Sequence, residues 1–340
     1  MASRALVVGG LTSGSGKTTV TLGLLRALVR TGHSISAAKT GPDYIDAAFL
    51  GAAILSPAIN LDSHAMAPQM IRHLTATRTG EMLIVEGVMG LFDGTDGGSG
   101  STAQLASGLG APIILVLDAR HQGQTAAALA AGIRSQLPAG TDLAGVVLNR
   151  VASPRHEALI IEALSQRGIP HFGSLAVTPS MEVPSRHLGL VQAAELAASG
   201  ELEPRIEAAA DLIAASLDLD AIIAAAGPLQ AAEPTNRLPP PGQLIAVASD
   251  QAFGFSYTHM LEGWRAAGAE IMPFSPLADE APAADADFIF LPGGYPELHL
   301  PALTGARRFH DGLRAAAARG VLIYGECGGF MTLGEAIIDA

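Results

Sequence analysis

Short apolar runs alternate with longer segments of helical spacing along the first two thirds of the chain. "ALVVG", "SISAAK", "EMLIVEG", "APIILVLD", "LAGVVLNR" and "IPHFGSLA" have the length and β-branched content of buried strands. Between them, "TTVTLGLLRALVRTG", "QTAAALAAGIRSQL" and "PRHEALIIEALSQRG" repeat apolar residues at helical intervals. The first of these ends at Gly32, a candidate C-terminal stop. Strands that alternate with helices need crossover connections. The pattern therefore predicts an α/β fold with a mostly parallel sheet and helices on both faces.

"GPLQAAEPTNRLPPPG" interrupts the rhythm with proline and polar residues and reads as a linker. A second α/β pattern follows. Its expected strands are "QLIAVASD", "AEIMPFS", "ADFIFLPGG" and "VLIYGE", and its expected helices are "THMLEGWRAAG" and "GARRFHDGLRAAAARG", with a last helix starting after Cys327. The expected organisation is a first domain over 1–227, a linker over 228–242 and a second domain over 243–340. No internal repeat is visible.

Composition narrows the function classes. A chain of 340 residues is long enough for two domains with sizeable cores. Its formal charge of −12 offers no broad basic face for nucleic acid or an anionic membrane. Cationic partners for an anionic substrate must be few and local. Cys327 is the only cysteine, so an internal disulfide is excluded and a reducing, cytoplasmic setting is expected. The N-terminal apolar run is too short for a signal peptide. "DLIAASLDLDAIIAAAG" is interrupted by Asp218 and Asp220, and no run reaches the ~18–20 apolar residues of a spanning helix.

The first candidate site is "GGLTSGSGKTTV", which follows the strand "ALVV" and opens a helix. It has the context of a phosphate-binding loop: inward N–H groups, a helix N-terminus, Lys17 for the β- and γ-phosphates and the Thr18 hydroxyl for Mg²⁺. The spelling departs from G-x-x-x-x-G-K-[ST], because Leu11 stands where the first glycine belongs and the glycine is Gly10. Glu86 ends the strand "MLIVE", a position that suits a Mg²⁺-facing carboxylate. In "KTGPDYIDAAF", Asp43 and Asp46 lie three apart with Tyr44 between them. They read either as a metal- or substrate-ordering pair or as a helix N-cap plus a solvated acid. Asp93 follows in "EGVMGLFDG".

The second candidate site is "YGECGGFM". Gly325, Glu326, Cys327, Gly328 and Gly329 spell a nucleophile elbow with cysteine as nucleophile, a sharp strand-to-helix turn whose next N–H helps form an oxyanion hole. "FLPGGYPE" places Gly293 and Gly294 at another strand end, a source for the second donor. No histidine follows Cys327, and the last one, His310, falls on an expected helix. The other histidines show no metal spacing.

A lengthened loop of the form G-x-x-x-x-x-G-K-T resembles that of dethiobiotin synthetase and its relatives. Joined to a linker and the start of a class I glutamine amidotransferase domain, it resembles the cobyrinic acid a,c-diamide synthase family, which includes the hydrogenobyrinic acid enzymes. "GLTSGSGKTTVTLGLLRAL", "KTGPDYID", "VEGVMGLFDG", "PSRHLGL", "FLPGGYPE" and "YGECGGFM" carry the resemblance in order. It implies ATP-dependent phosphorylation of the c- and then the a-carboxylate of hydrogenobyrinic or cobyrinic acid. Ammonia from glutamine, released at Cys327, then attacks each acyl phosphate. By resemblance Gly14, Ser15, Gly16, Lys17, Thr18 and Thr19 hold the triphosphate, and Asn149 reads adenine. Thr18, Asp46 and Glu86 are the implied Mg²⁺ contacts. Asp43, Tyr44 and Asp93 face the substrate, and Gly294 and Gly328 form the oxyanion hole. Arg186 and His187 receive no role. The second domain is about half the usual size, which implies that it stops short and that its histidine base and acid lie beyond residue 340. The implied partners are the tetrapyrrole, glutamine and ATP, with no nucleic acid and no membrane, and a homodimer is compatible.

Three other readings stay open. A nickel-sirohydrochlorin a,c-diamide synthase shares the same parts. A dethiobiotin-synthetase-like ligase lacks the glutaminase part. A partition-type P-loop ATPase, a scaffold and not a synthetase, carries an early second lysine where this chain has Leu11, Thr12 and Ser13.

Overall fold

The computed structural model describes residues 2–177, 185–186, 189–230, 235 and 237–337. Two compact units divide between Thr235 and Asn236, inside the stretch expected to link the domains.

The first unit runs β1 Arg4–Gly10, α1 Lys17–Arg30, β2 Ile35–Thr40, α2 Tyr44–Ile54, β3 Ile59–Leu61, α3 Pro68–Ala76, β4 Met82–Glu86, α4 Thr102–Leu109, β5 Ile113–Asp118, α5 Thr125–Gln136, β6 Leu143–Val151, α6 Pro154–Ser165 and β7 His171–Ala176. A two-stranded ribbon pairs β8 Ser185–Arg186 with β9 Gly189–Leu190. His187 and the side chain of Arg186 lie outside the described residues. Helices α7 Ala193–Ala198, α8 Leu202–Ser216 and α9 Leu219–Ala225 follow, and β10 Gly227–Pro228 returns antiparallel to β1. Pro228, expected to open the linker, thus belongs to the sheet.

The strand order is β3-β2-β4-β1-β5-β6-β7, with parallel pairing along that path. The central strands are buried on both faces. In β1, Ala5 and Val7 join one core and Leu6 and Val8 the other, as the period of two requires. Helices α3 to α6 cover the first face, and α1, α2 and α7 to α9 the second. After β1 the chain moves towards β2, and after β4 it crosses to β5. The carboxyl ends of β1, β4 and β5 therefore lie where the connections diverge, the place where open α/β sheets bind ligands.

Periodicity alone misses several elements. β3 has three residues, and α3, α4, α7 and α9 have at most nine each. The "DLIAASLDLDAIIAAAG" segment is two elements: α8 ends at Ser216, and the Asp218 carboxylate accepts from Ala221 N at 2.9 Å to start α9. Helix α8 packs on α1, where the buried Arg26 guanidinium joins Glu203 and Glu207 of α8 to the Ala52 and Ala53 carbonyls of α2. Among the described residues no helix is long and apolar enough to cross a membrane.

The second unit contains β11 Leu244–Ala248, α10 Thr258–Ala266, β12 Glu270–Phe274, β13 Phe288–Leu291, α11 Leu300–Gly305, α12 Arg307–Ala318, β14 Leu322–Gly325 and α13 Gly328–Met331. Its parallel sheet has the order β12-β11-β13-β14. Pro273 has no N–H to donate and is accommodated because β12 is an edge strand. Ala246 and Ala248 face α11 and α12, whereas Ile245 and Val247 face Trp264 of α10.

Candidate active sites

The turn after β1 is a phosphate loop, and its geometry explains the departure in spelling. Gly10 is the last residue of β1, and a Cβ there would strike Ser15 Oγ and lie 2.9 Å from Lys17 Cγ. In this lengthened loop Gly10 therefore meets the steric demand that the shorter motif places one residue later. Gly16, with φ +94°, stands at the N-cap of α1 and makes no side-chain cap hydrogen bond, and a helix N-terminus of this kind suits an anion.

The loop opens into a cleft of about 680 Å³. Gly14, Gly16, Lys17, Thr18, Thr19, Asp43, Asp46 and Glu86 line it, as do Lys39, Arg120 and Arg150. Lys17 Nζ donates to Thr12 O at 3.0 Å and to Met89 O at 2.6 Å, tying the loop to the segment after β4. Burial, reinforced by the nearby Lys39, holds the Lys17 ammonium below the ordinary lysine range, against the pull of Glu86, Asp46 and Asp93.

Glu86 ends β4 fully buried. Its Oε1 accepts from Thr18 Oγ1 at 2.6 Å and from Lys39 Nζ at 2.9 Å, and Lys39 also donates to Asp46 Oδ2. Burial pushes the Glu86 carboxyl up, with Lys39 opposing. Burial works against the charge on Lys39, yet Glu86 and Asp46 outweigh it and hold this lysine above its usual range. Asp46 and Glu86 converge on the Lys39 ammonium, and Thr18 joins them through Glu86 Oε1. Lys39 stands inside "KTGPDYID" and sequence reasoning passed over it. The available signal was the one charged residue of a buried strand, Lys39 in Ile35–Thr40, which must be paired when buried.

Other expected residues fall less directly on the cleft. Asp43 lines it and is also the N-cap of α2, its Oδ1 accepting from Ile45 N and Asp46 N at 3.0 Å. The N-cap reading of this residue is thus met, and its place in the cleft keeps the substrate reading open. Its carboxyl is raised by burial and then by Asp46. Ser15 is buried beneath the loop, and Asn149 Nδ2 donates to Ser15 O at 2.9 Å. Tyr44 and Asp93 are not among the lining residues; Asp93 is exposed, and its Oδ2 accepts from Gly90 N at 2.8 Å.

In the second unit, Cys327 sits between β14 and α13 with φ 49° and ψ −119°, a backbone strained for a side chain with a Cβ. Such strain at a strand-to-helix turn is the signature of the elbow. The thiol-bearing residue is exposed. The turn packs so closely that a Cβ at Gly329 would strike the Leu291 carbonyl, and one at Gly293 would lie 3.4 Å from Cys327 Sγ. Gly328 and Gly294 are also in contact range, since a Cβ at Gly328 would lie 2.7 Å from Gly294 O. The two expected oxyanion glycines and the thiol thus share one corner. His310 is engaged elsewhere, its Nε2 on the Leu303 carbonyl at 2.9 Å.

Two family models match the two units. The CobQ/CobB/MinD/ParA nucleotide binding domain matches residues 6–191, and the CobB/CobQ-like glutamine amidotransferase domain matches residues 244–340. The hydrogenobyrinate a,c-diamide synthase of Brucella abortus is 50% identical over 99% of this chain and 78% of its own length. Those of Rhizobium meliloti and Rhodobacter capsulatus are each 48% identical, over 98% and 99% of this chain and 78% of theirs. The chain belongs to the hydrogenobyrinate a,c-diamide synthase family. The family resemblance read from the motifs, the two-part α/β architecture and the assignment to a nucleotide-binding, glutamine-hydrolysing ligase family all stand.

Arg120 and Arg150 escaped sequence reasoning. They follow β5 and end β6, and both bind Asp118: Arg120 Nη2 at 2.7 Å and Arg150 Nη1 at 2.8 Å. Arginines near strand ends carry no signature of their own in a single sequence.

Proposed function

We propose that the chain amidates the a- and c-carboxylates of hydrogenobyrinate, using ATP and ammonia derived from glutamine. The observation that carries this reading is the gathering of Lys17, Thr18, Lys39 and Glu86 in one cleft at an uncapped helix N-terminus. The relatives' names supply the substrate; the chemistry fits the residues. A carboxylate oxygen attacks the γ-phosphorus, the bond to the β-phosphate oxygen breaks and ADP leaves. Ammonia then attacks the acyl carbon, and phosphate departs with the former carboxylate oxygen.

Lys17 and the N–H groups of the loop balance charge on the transferring phosphoryl group. Lys39, fixed by Glu86 and Asp46, keeps its proton and offers a second cation on the β2 side of the cleft. The residues also fit a magnesium ion. The donors are all oxygen, and the buried Glu86 Oε2 has no hydrogen-bond partner. No group of three or more acidic, histidine or cysteine ligands exists among the described residues. That suits Mg²⁺, which takes one or two carboxylates and completes its shell with phosphates and water. Thr18 and Glu86, with Asp46 beside them, would hold it, and it would supply charge neutralisation for the phosphate oxygens. Asp43 and Tyr44 are the proposed substrate-facing pair with Asp93, and Asn149 the proposed adenine contact through Oδ1. Cys327, with Gly294 and Gly328, is proposed to release ammonia from glutamine.

Lys17→Ala tests the reading. With ammonium as donor, kcat should fall about a hundredfold or more, comparable to loss of a key electrostatic donor. Turnover within a few-fold of wild type would remove the phosphate loop from the mechanism.

A further inference from the structure

Two neighbouring side chains at the end of β6 hold two successive carbonyls of the phosphate loop. Asn149 Nδ2 donates to Ser15 O at 2.9 Å, and Arg150 Nη1 donates to Gly14 O at 2.7 Å. A peptide unit is planar and trans, so its C=O and N–H point in opposite directions. Fixing the Gly14 carbonyl towards β6 turns the Ser15 N–H the other way, and fixing the Ser15 carbonyl does the same for the Gly16 N–H. The two side chains thereby aim two loop amides as one unit.

The backbone at this point is built for the task. Arg150 has φ +60°, an unusual value for a residue with a Cβ, and the β6–β7 register slips between Leu148 and Val151. Such irregularities re-aim side chains next to active sites. The same Nη1 of Arg150 also donates to Asp118 Oδ2, and Arg120 grips both oxygens of that carboxylate from the exposed side. Arg120 and Arg150 both line the cleft, whereas Asp118 stands behind them.

We propose that Arg150 is a positioning residue for the triphosphate. It orients the lengthened phosphate loop by holding the Gly14 carbonyl, with Asp118 and Arg120 fixing its guanidinium. The inference rests on the nucleotide reading of this cleft. It also explains how a loop with an extra residue keeps its donors converged: the added freedom is removed from outside, by β6.

The test uses the full chain and a non-hydrolysable ATP analogue with Mg²⁺, titrated calorimetrically without tetrapyrrole. Ammonium-driven steady-state kinetics accompany it. Arg150→Ala should weaken the analogue about tenfold or more, the size expected for a lost charge-assisted hydrogen bond. The KM for ATP should rise in step, and the KM for the tetrapyrrole should stay within about twofold. Arg150→Lys should recover most of the affinity, because a single nitrogen makes both bonds. Asp118→Asn, which keeps the side-chain shape, should weaken the analogue in the same direction by a smaller factor. Unchanged affinity in Arg150→Ala overturns the proposal, and so does Arg150→Lys behaving like Arg150→Ala. If Arg150→Ala does not fold, the lysine and asparagine variants decide: wild-type affinity in Asp118→Asn together with no retained affinity in Arg150→Lys overturns it. Failure of the wild type to bind the analogue refutes the nucleotide reading itself and takes this proposal with it.

Discussion

Replacing Lys39 with methionine isolates the most exposed weakness of the cleft. Methionine keeps most of the length and volume, so the change removes a charge more than it opens a cavity. Lys39 is 3% exposed and Glu86 0%, and they meet at 2.9 Å. Removing one partner of a buried ion pair costs about 3–5 kcal/mol, because the other charge stays buried without compensation. Glu86 would keep only the Thr18 hydroxyl, at 2.6 Å. In a domain of this size, that loss corresponds to a fall in Tm of roughly 6–20 °C. Urea unfolding followed by far-ultraviolet circular dichroism is the suitable assay, since the one tryptophan, Trp264, lies in the second unit. Glu86→Gln in the same background removes the stranded charge, so the double variant should be destabilised by less than the sum of the two single ones. A loss below about 1 kcal/mol in Lys39→Met, or strict additivity in the double variant, would refute the claim that a buried pair organises the cleft.

Further outcomes follow from the same geometry. Cys327→Ser should abolish glutamine-driven amidation while ammonium-driven amidation continues; equal loss with both donors, measured as amide formed, would contradict the elbow. Asp118 sits below the usual carboxylate range, because the bonds from Arg120 and the charge of Arg150 outweigh burial, which alone would raise it. Its stabilising contribution is therefore complete above the unfolded value of about 4 and fades as pH falls through the lower folded value. The stability gap between wild type and Asp118→Asn, about 0.5–1 kcal/mol for such a partly exposed pair, should be present at pH 7 and shrink below about pH 4 in urea titrations. A gap that widens in acid would reverse the assignment. Asp46→Asn should slow both amidations together, whereas Asp43→Asn should raise the fraction of monoamide. An unchanged mono-to-diamide ratio in both, resolved by mass, would remove that division of labour.

The sequence makes the strands and the two chemistries legible for a physical reason. Runs such as "APIILVLD" are buried on both faces, and motifs such as "SGSGKTT" and "GECGG" need particular residue types at fixed positions. Short elements were not legible. β3 has three residues, too few to show a period, and α8 and α9 hide in one Ala-rich segment whose break is a single aspartate cap. In the site, the lengthened loop was legible as a family variant, but the reason Gly10 must be glycine lies in its closeness to Ser15 and Lys17. Lys39, Arg120 and Arg150 gain meaning only from partners far away in sequence: Glu86 for Lys39, and Gly14 for Arg150. Distant pairing of this kind leaves no local pattern.

On the proposed mechanism the cleft forms an acyl phosphate on the tetrapyrrole before nitrogen arrives. Hydrogenobyrinate labelled with ¹⁸O in its carboxylates, incubated with the chain, ATP, Mg²⁺ and ammonium, tests it most directly. ADP should be the nucleotide product, with one ¹⁸O delivered to inorganic phosphate for each amide formed. Label appearing in AMP, or amide formed with unlabelled phosphate, would contradict it.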